Sequence, residues 1–94
     1  MKINIGCGDL AESLKGRDKG RLYIVVTVKD GRAAITDGKV RRTVKPKSKN
    51  VKHLKTVQSA ALKELADKIA KGEPVSDAKV RNAISAFNKK SEEE

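Results

Sequence analysis

Aromatic residues are nearly missing from this chain: Tyr23 and Phe87 are the only two, and there is no tryptophan. A platform that stacks successive bases of a single strand needs several rings, so that mode of binding finds little support. Cysteine is scarcer still. Cys7 alone excludes an intramolecular disulfide framework and a multi-cysteine zinc site. Set between Gly6 and Gly8 with no general base nearby, it reads as a small structural thiol. His53 has no second histidine and no carboxylate at ligand spacing, so no metal is expected. Long apolar runs are absent too. Residues 1–9 do not resemble a signal peptide, and no segment is apolar enough to span a bilayer. The expectation is a cytoplasmic protein with no membrane partner. Nor is there a paired nucleophile and base, a metal set or a cofactor loop, so neither an enzyme nor a cofactor is expected.

What the chain has is positive charge, unevenly placed. Its 94 residues carry a formal net charge of +10. Residues 15–55 hold fourteen Lys and Arg against Asp18, Asp30 and Asp37, whereas residues 56–94 hold seven of each sign. A block of like charge repels itself until a polyanion neutralises it, which points to nucleic acid. A membrane surface fits less well, because the block lacks an amphipathic helical pattern. A chain of this length forms one domain and buries roughly 60–65% of its unfolded surface.

Two halves differ in period. Leu22, Ile24, Val26 and Val28 alternate with Tyr23, Val25, Thr27 and Lys29, and the β-branched content favours a strand. Asp30-Gly31 is a hairpin signal, followed by Ala33–Thr36 and a second turn at Asp37-Gly38. Val40–Val44 alternates again. Pro46 and Asn50 mark a lysine-rich loop, and Val51–Val57 reads as a closing strand. Four or five short strands this closely spaced suggest a small barrel. The second half is helical. Thr56 is the expected N-cap of a first helix carrying Ala61, Leu62, Leu65, Ala66, Ile69 and Ala70, with Gly72 as its stop. Ser76 caps a second, with Val75 and Val80 as a hydrophobic staple and an apolar stripe of Val80, Ala83, Ile84 and Phe87. Glu92–Glu94 reads as a frayed tail.

The basic residues fall into three clusters. The first is the turn Lys15, Gly16, Arg17, Asp18, Lys19, Gly20 and Arg21. Its glycines permit positive φ and close approach of phosphate, and its cations supply charge. No Gly-Lys-Ser/Thr precedes a helix, so it is not a nucleotide-binding P-loop. Asp18 is expected to bond N–H groups of the turn and to offset one cation. The second cluster is Lys39, Arg41 and Arg42, whose guanidinium forks suit phosphate or a guanine edge. Arg41 and Arg42 point to opposite faces of a strand. The third is Lys45, Lys47, Lys49, Lys52 and Lys55 with His53, expected as a loop that orders on RNA. Five such contacts would give a salt slope of roughly −3 to −4. Phe87 is assigned to the core. Tyr23 either stacks on a base or lies under the C-terminal helices.

Residues 8–21 and the strand that follows resemble the KOW motif of ribosomal proteins and transcription elongation factors. The motifs GRDKGR (16–21), DGK-x-R-R (37–42) and PK-x-KN-x-KHL (46–54) are more specific. They resemble small bacterial KOW-domain RNA-binding proteins related to large-subunit ribosomal proteins of archaea and eukaryotes. That resemblance implies an SH3-like barrel that binds RNA, often ribosomal RNA. The combined expectation is a mainly β, α+β domain: a KOW/SH3-like barrel over 1–57, two short helices packed on it over 58–90, and an acidic tail over 91–94. It would act as a monomeric, non-catalytic binder of structured RNA. The charge-balanced helices would be available to a ribosomal or transcription protein. The alternative is a protein-interaction module of the transcription or translation machinery, because KOW barrels also sit beside polymerases.

Overall fold

The computed structural model describes residues 5–39, 45–59, 61–62, 67–68, 71–72 and 76–93. The protein is mainly β: a five-stranded antiparallel sheet followed by one C-terminal helix. The strands are β1 (Leu10–Ser13), β2 (Leu22–Lys29), β3 (Arg32–Thr36), β4 (Lys47–Asn50) and β5 (Leu54–Gln58). Their order in the sheet is β4-β3-β2-β1-β5.

The Asp30-Gly31 hairpin forms as expected. Both residues have positive φ (51° and 76°), and Lys29 faces Arg32 across it. Such a two-residue turn matches the twist of the flanking strands. The expected lysine-rich loop is instead partly a strand. Residues 47–50 pair with β3, Ile35 opposite Lys47 and Arg32 opposite Asn50. Pairing with a preformed neighbour overrides the weak strand propensity of Lys-Ser-Lys-Asn. The closing strand starts three residues later than its sequence suggests, because Val51–His53 form a 3-10 turn. The Asn50 side chain accepts the Lys52 N–H at 2.9 Å and caps that turn.

β4 and β5 stand at opposite ends of the sheet, yet only Val51–His53 separates them in sequence. Four inter-strand steps of about 4.8 Å would set them about 19 Å apart in a flat sheet. A 3-10 turn rising about 2 Å per residue cannot bridge that gap. The sheet is therefore curled, with its two ends brought together.

Curling gives β1 and β2 two apolar faces. Ala11, Tyr23, Val25, Ala33, Ile35 and Leu54 fill one cluster, while Leu10 and Ile24 point the other way and meet Leu62 and Val80. Neighbours along a strand alternate between faces, so a strand covered on both reads as an unbroken apolar run. Covering the second face is α1, Asp77–Glu93. Ser76 caps it as expected, its Oγ accepting the Ala78 N–H at 3.2 Å. Val80, Ala83, Ile84 and Phe87 form the packed stripe, which places Phe87 against the core as expected.

Among the described residues α1 is the one helix, where two were expected. Thr56 does not cap a helix; it lies inside β5, facing Ala11. Ala61 and Leu62 form a turn, and Asp67 and Lys68 have helical backbone. The rest of the expected first helix, the Val40–Val44 strand with Arg41 and Arg42, and Val75 of the staple lie outside the described residues. The acidic end does not fray at Ser91, since helical backbone continues to Glu93. No helix among the described residues is long and apolar enough to cross a membrane.

Candidate nucleic-acid interface

The β1–β2 connection, residues 14–21, is closed at its base by two hairpin bonds. Ser13 N–H donates to Arg21 O at 2.9 Å, and Gly20 N–H donates to Ser13 O at 2.8 Å. Within it, Lys19 N–H bonds Gly16 O and Arg21 N–H bonds Asp18 O, making two successive turns. Gly16 and Gly20 take φ of 91° and 89°, the conformation their glycines were expected to permit. Lys15, Arg17, Lys19 and Arg21 are all exposed.

Asp18 is not a cap for the turn's N–H groups. Its carboxylate points inward, 7% exposed, and accepts four side-chain donors. Ser13 Oγ donates to Oδ1 at 2.8 Å and Tyr23 Oη to Oδ2 at 3.0 Å. Lys49 Nζ lies 2.7 Å from Oδ1 and Lys47 Nζ 3.2 Å from Oδ2. Burial alone would raise the Asp18 carboxyl, but the hydrogen bonds from Lys49, Ser13, Lys47 and Tyr23 outweigh it. They hold the group well below the ordinary carboxylate range. Burial first, then the bond to Asp18, pushes the Tyr23 hydroxyl up to about 12. Tyr23 thus neither stacks outward nor lies under the helix; its ring belongs to the cluster inside the curl.

Lys49 is 8% exposed and also donates to Ser13 Oγ at 2.7 Å and to Lys15 O at 2.8 Å. A buried ammonium is tolerated only when paired and hydrogen-bonded, and this one is both. Lys49 therefore faces inward and ties the 14–21 loop to β4. Lys47 is half-buried, so its ammonium serves Asp18 and the surface together.

Over this hub lies a groove of about 400 Å³ lined by Lys15, Gly16, Arg32, Lys47, Lys49, Asn50 and His53. None of these lining residues is acidic. Arg32 was not picked out from the sequence. It follows the hairpin turn on β3 and spends two N–H donors on Ser48, one on Oγ at 2.8 Å and one on the carbonyl at 3.3 Å. Its place in the strand register opposite Asn50 was the missing signal.

Gly20, Arg21 and Lys39 line a different groove, between the sheet and α1. Arg17 and Lys19 line neither, and Lys45 and Lys52 are exposed outside both. The expected single basic edge over 39–55 is thus divided between two grooves. Cys7 packs half-buried beneath α1, and burial, then the Asp9 charge, pushes its thiol up. Compared with models of known protein families and with curated proteins, the chain matches none.

Proposed function

We propose that this protein is a non-catalytic RNA-binding protein, an SH3-like barrel of the KOW type that holds structured RNA, ribosomal RNA foremost, by its phosphates. The observation that carries this reading is the groove of Lys15, Arg32 and Lys47, with His53 in its wall. It gathers cations from three separate stretches of chain onto one concave surface without an acidic lining residue. A concave surface of one charge focuses potential and raises the local concentration of a polyanion. Arg32 supplies a planar fork for phosphate and Lys15 a point charge. With the one tyrosine buried, phosphate and shape are read in preference to stacked bases. Lys49 acts as a positioning residue that fixes the loop presenting Lys15. The curled five-stranded sheet and the KOW-like motifs support the same reading.

The test is fluorescence anisotropy with a ribosomal RNA hairpin at several salt concentrations. Each phosphate contact contributes about 0.7–0.9 to the slope of log K against log salt. Lys15→Glu combined with Arg32→Glu should weaken binding at least about tenfold and flatten the slope by about 1.4–1.8. Unchanged affinity and slope in a folded double variant would overturn the reading.

A further inference from the structure

A second groove, of about 440 Å³, opens where α1 crosses the sheet. Its floor is apolar: Leu22 at the start of β2 and Ile84 on α1, both half-buried in the helix-side cluster. Its rim is cationic, with Arg21 and Lys39 from the sheet side and Arg81 from the helix. Arg81, Ser85 and Asn88 are four and then three residues apart, so they lie along one helix face and bring an amide and a hydroxyl to the same wall.

One contact fixes this geometry. Gly38 has φ of 75°, and a Cβ there would stand 2.5 Å from the Asp77 carbonyl oxygen. Its bare backbone lets the turn press against Asp77 at the start of α1, and from the next turn of the helix Arg81 Nη1 donates to Gly38 O at 2.7 Å. The guanidinium is thereby held at the rim. Asp37, the single acid of the lining, accepts the Lys39 backbone N–H at 2.9 Å.

A phosphate alone needs no apolar floor, and an apolar side chain needs no rim of three cations. A nucleotide needs both, together with a group that pairs with a base edge, which an Asn side chain provides. The groove's size falls within the range of about 300–1,000 Å³ found for small-molecule sites. We infer that this groove takes one unpaired nucleotide of RNA. Its base rests on Leu22 and Ile84, its phosphate meets Arg21, Lys39 and Arg81, and Asn88 reads the base edge. This rests on the RNA reading above and gives α1 a direct part in it.

The experiment is an amide NMR titration of the full chain with two blunt-ended, two-strand RNA duplexes, one fully paired and one carrying a single bulged adenine. The fully paired duplex should shift Gly16, Asn50 and His53 only. The bulge should add shifts at Leu22, Lys39 and Ser85 and tighten binding about tenfold. Ser85→Glu, an exposed change on a helix, should remove the gain from the bulge while leaving the affinity for the fully paired duplex and the melting temperature unaltered. A bulge that adds no shift at the helix groove overturns the inference and leaves the RNA reading standing. Equal shifts there with both duplexes also overturn it, since phosphate alone would then suffice. Shifts at the helix groove without any at Gly16 and His53 uphold the inference and overturn the phosphate groove. No shift at either groove overturns both.

Discussion

Asp18 carries a charge in a place where a charge is costly, and its four side-chain donors decide the balance. Removing one partner of a buried pair typically costs about 3–5 kcal/mol, because the other charge is stranded. Lys49→Ala should therefore lower the denaturant midpoint sharply. The acid response follows from the direction of the Asp18 shift. A carboxyl held below its unfolded value of about 3.9 contributes stability that is present above that pH and lost as pH falls beneath it. Urea titrations at pH 7 and pH 3 should show the loss in the wild type and a smaller loss in Asp18→Asn; equal losses would contradict the assignment. Tyr23 works in the opposite sense. With its hydroxyl pushed up to about 12, its contribution holds below about pH 10 and is lost as pH rises through 12. Of this hub the sequence showed only that Asp18 would offset a cation, not that it would be buried or which lysines it would meet. Lys49 sits in a lysine-rich stretch like any other of its lysines, and its burial is decided by a partner 31 positions away.

Elements with a strong local period were legible. The β-branched run of β2, the Asp-Gly hairpin and the capped stripe of α1 each encode their own structure in adjacent residues. β4 was not, because its residues become a strand only by pairing with β3. Thr56 misled for a related reason: a helix cap and a β-branched strand residue look alike until β1 claims it. The seam between turn and helix invites a direct comparison of two glycines. Gly38 and Gly31 have nearly the same φ, 75° and 76°, but a Cβ at Gly31 meets nothing within 4 Å, whereas at Gly38 it meets the Asp77 carbonyl. Gly31→Ala should cost about 1 kcal/mol for the left-handed backbone. Gly38→Ala should cost more than that and loosen α1, seen as faster amide exchange around Val80. Equal melting temperatures for the two variants would mean that the seam is not tightly closed.

At the scale of the whole molecule, the charge map was legible and its three-dimensional division was not. The excess of positive charge in residues 15–55 follows from composition alone. That Lys15 and Arg32 share one groove while Arg21 and Lys39 share another depends on how the sheet curls. Arg17 and Lys19 are exposed outside both grooves, and on the proposed RNA reading they would attract RNA before it docks. Exposed charges of this kind act on the association rate more than on the lifetime of a complex. Arg17→Glu with Lys19→Glu should slow association about tenfold at low salt, with dissociation little changed, and the difference should fade at high salt. Stopped-flow measurement separates the two rates, and a faster dissociation with normal association would place these residues inside the contact itself.

The bond between Lys49 and Asp18 also sets an order of events. During synthesis the 14–21 loop emerges long before Lys49, so for that interval its carboxylate lacks the cation that draws it inward. Contacts this distant along the chain form late, after the entropy of closing the intervening loop has been met. The 14–21 loop is therefore set only once β4 has formed, and a nascent chain ending before β4 would present its basic residues without the anchor that Lys49 supplies. On the proposed RNA reading, competence to bind arrives with the fourth strand and not with the loop itself.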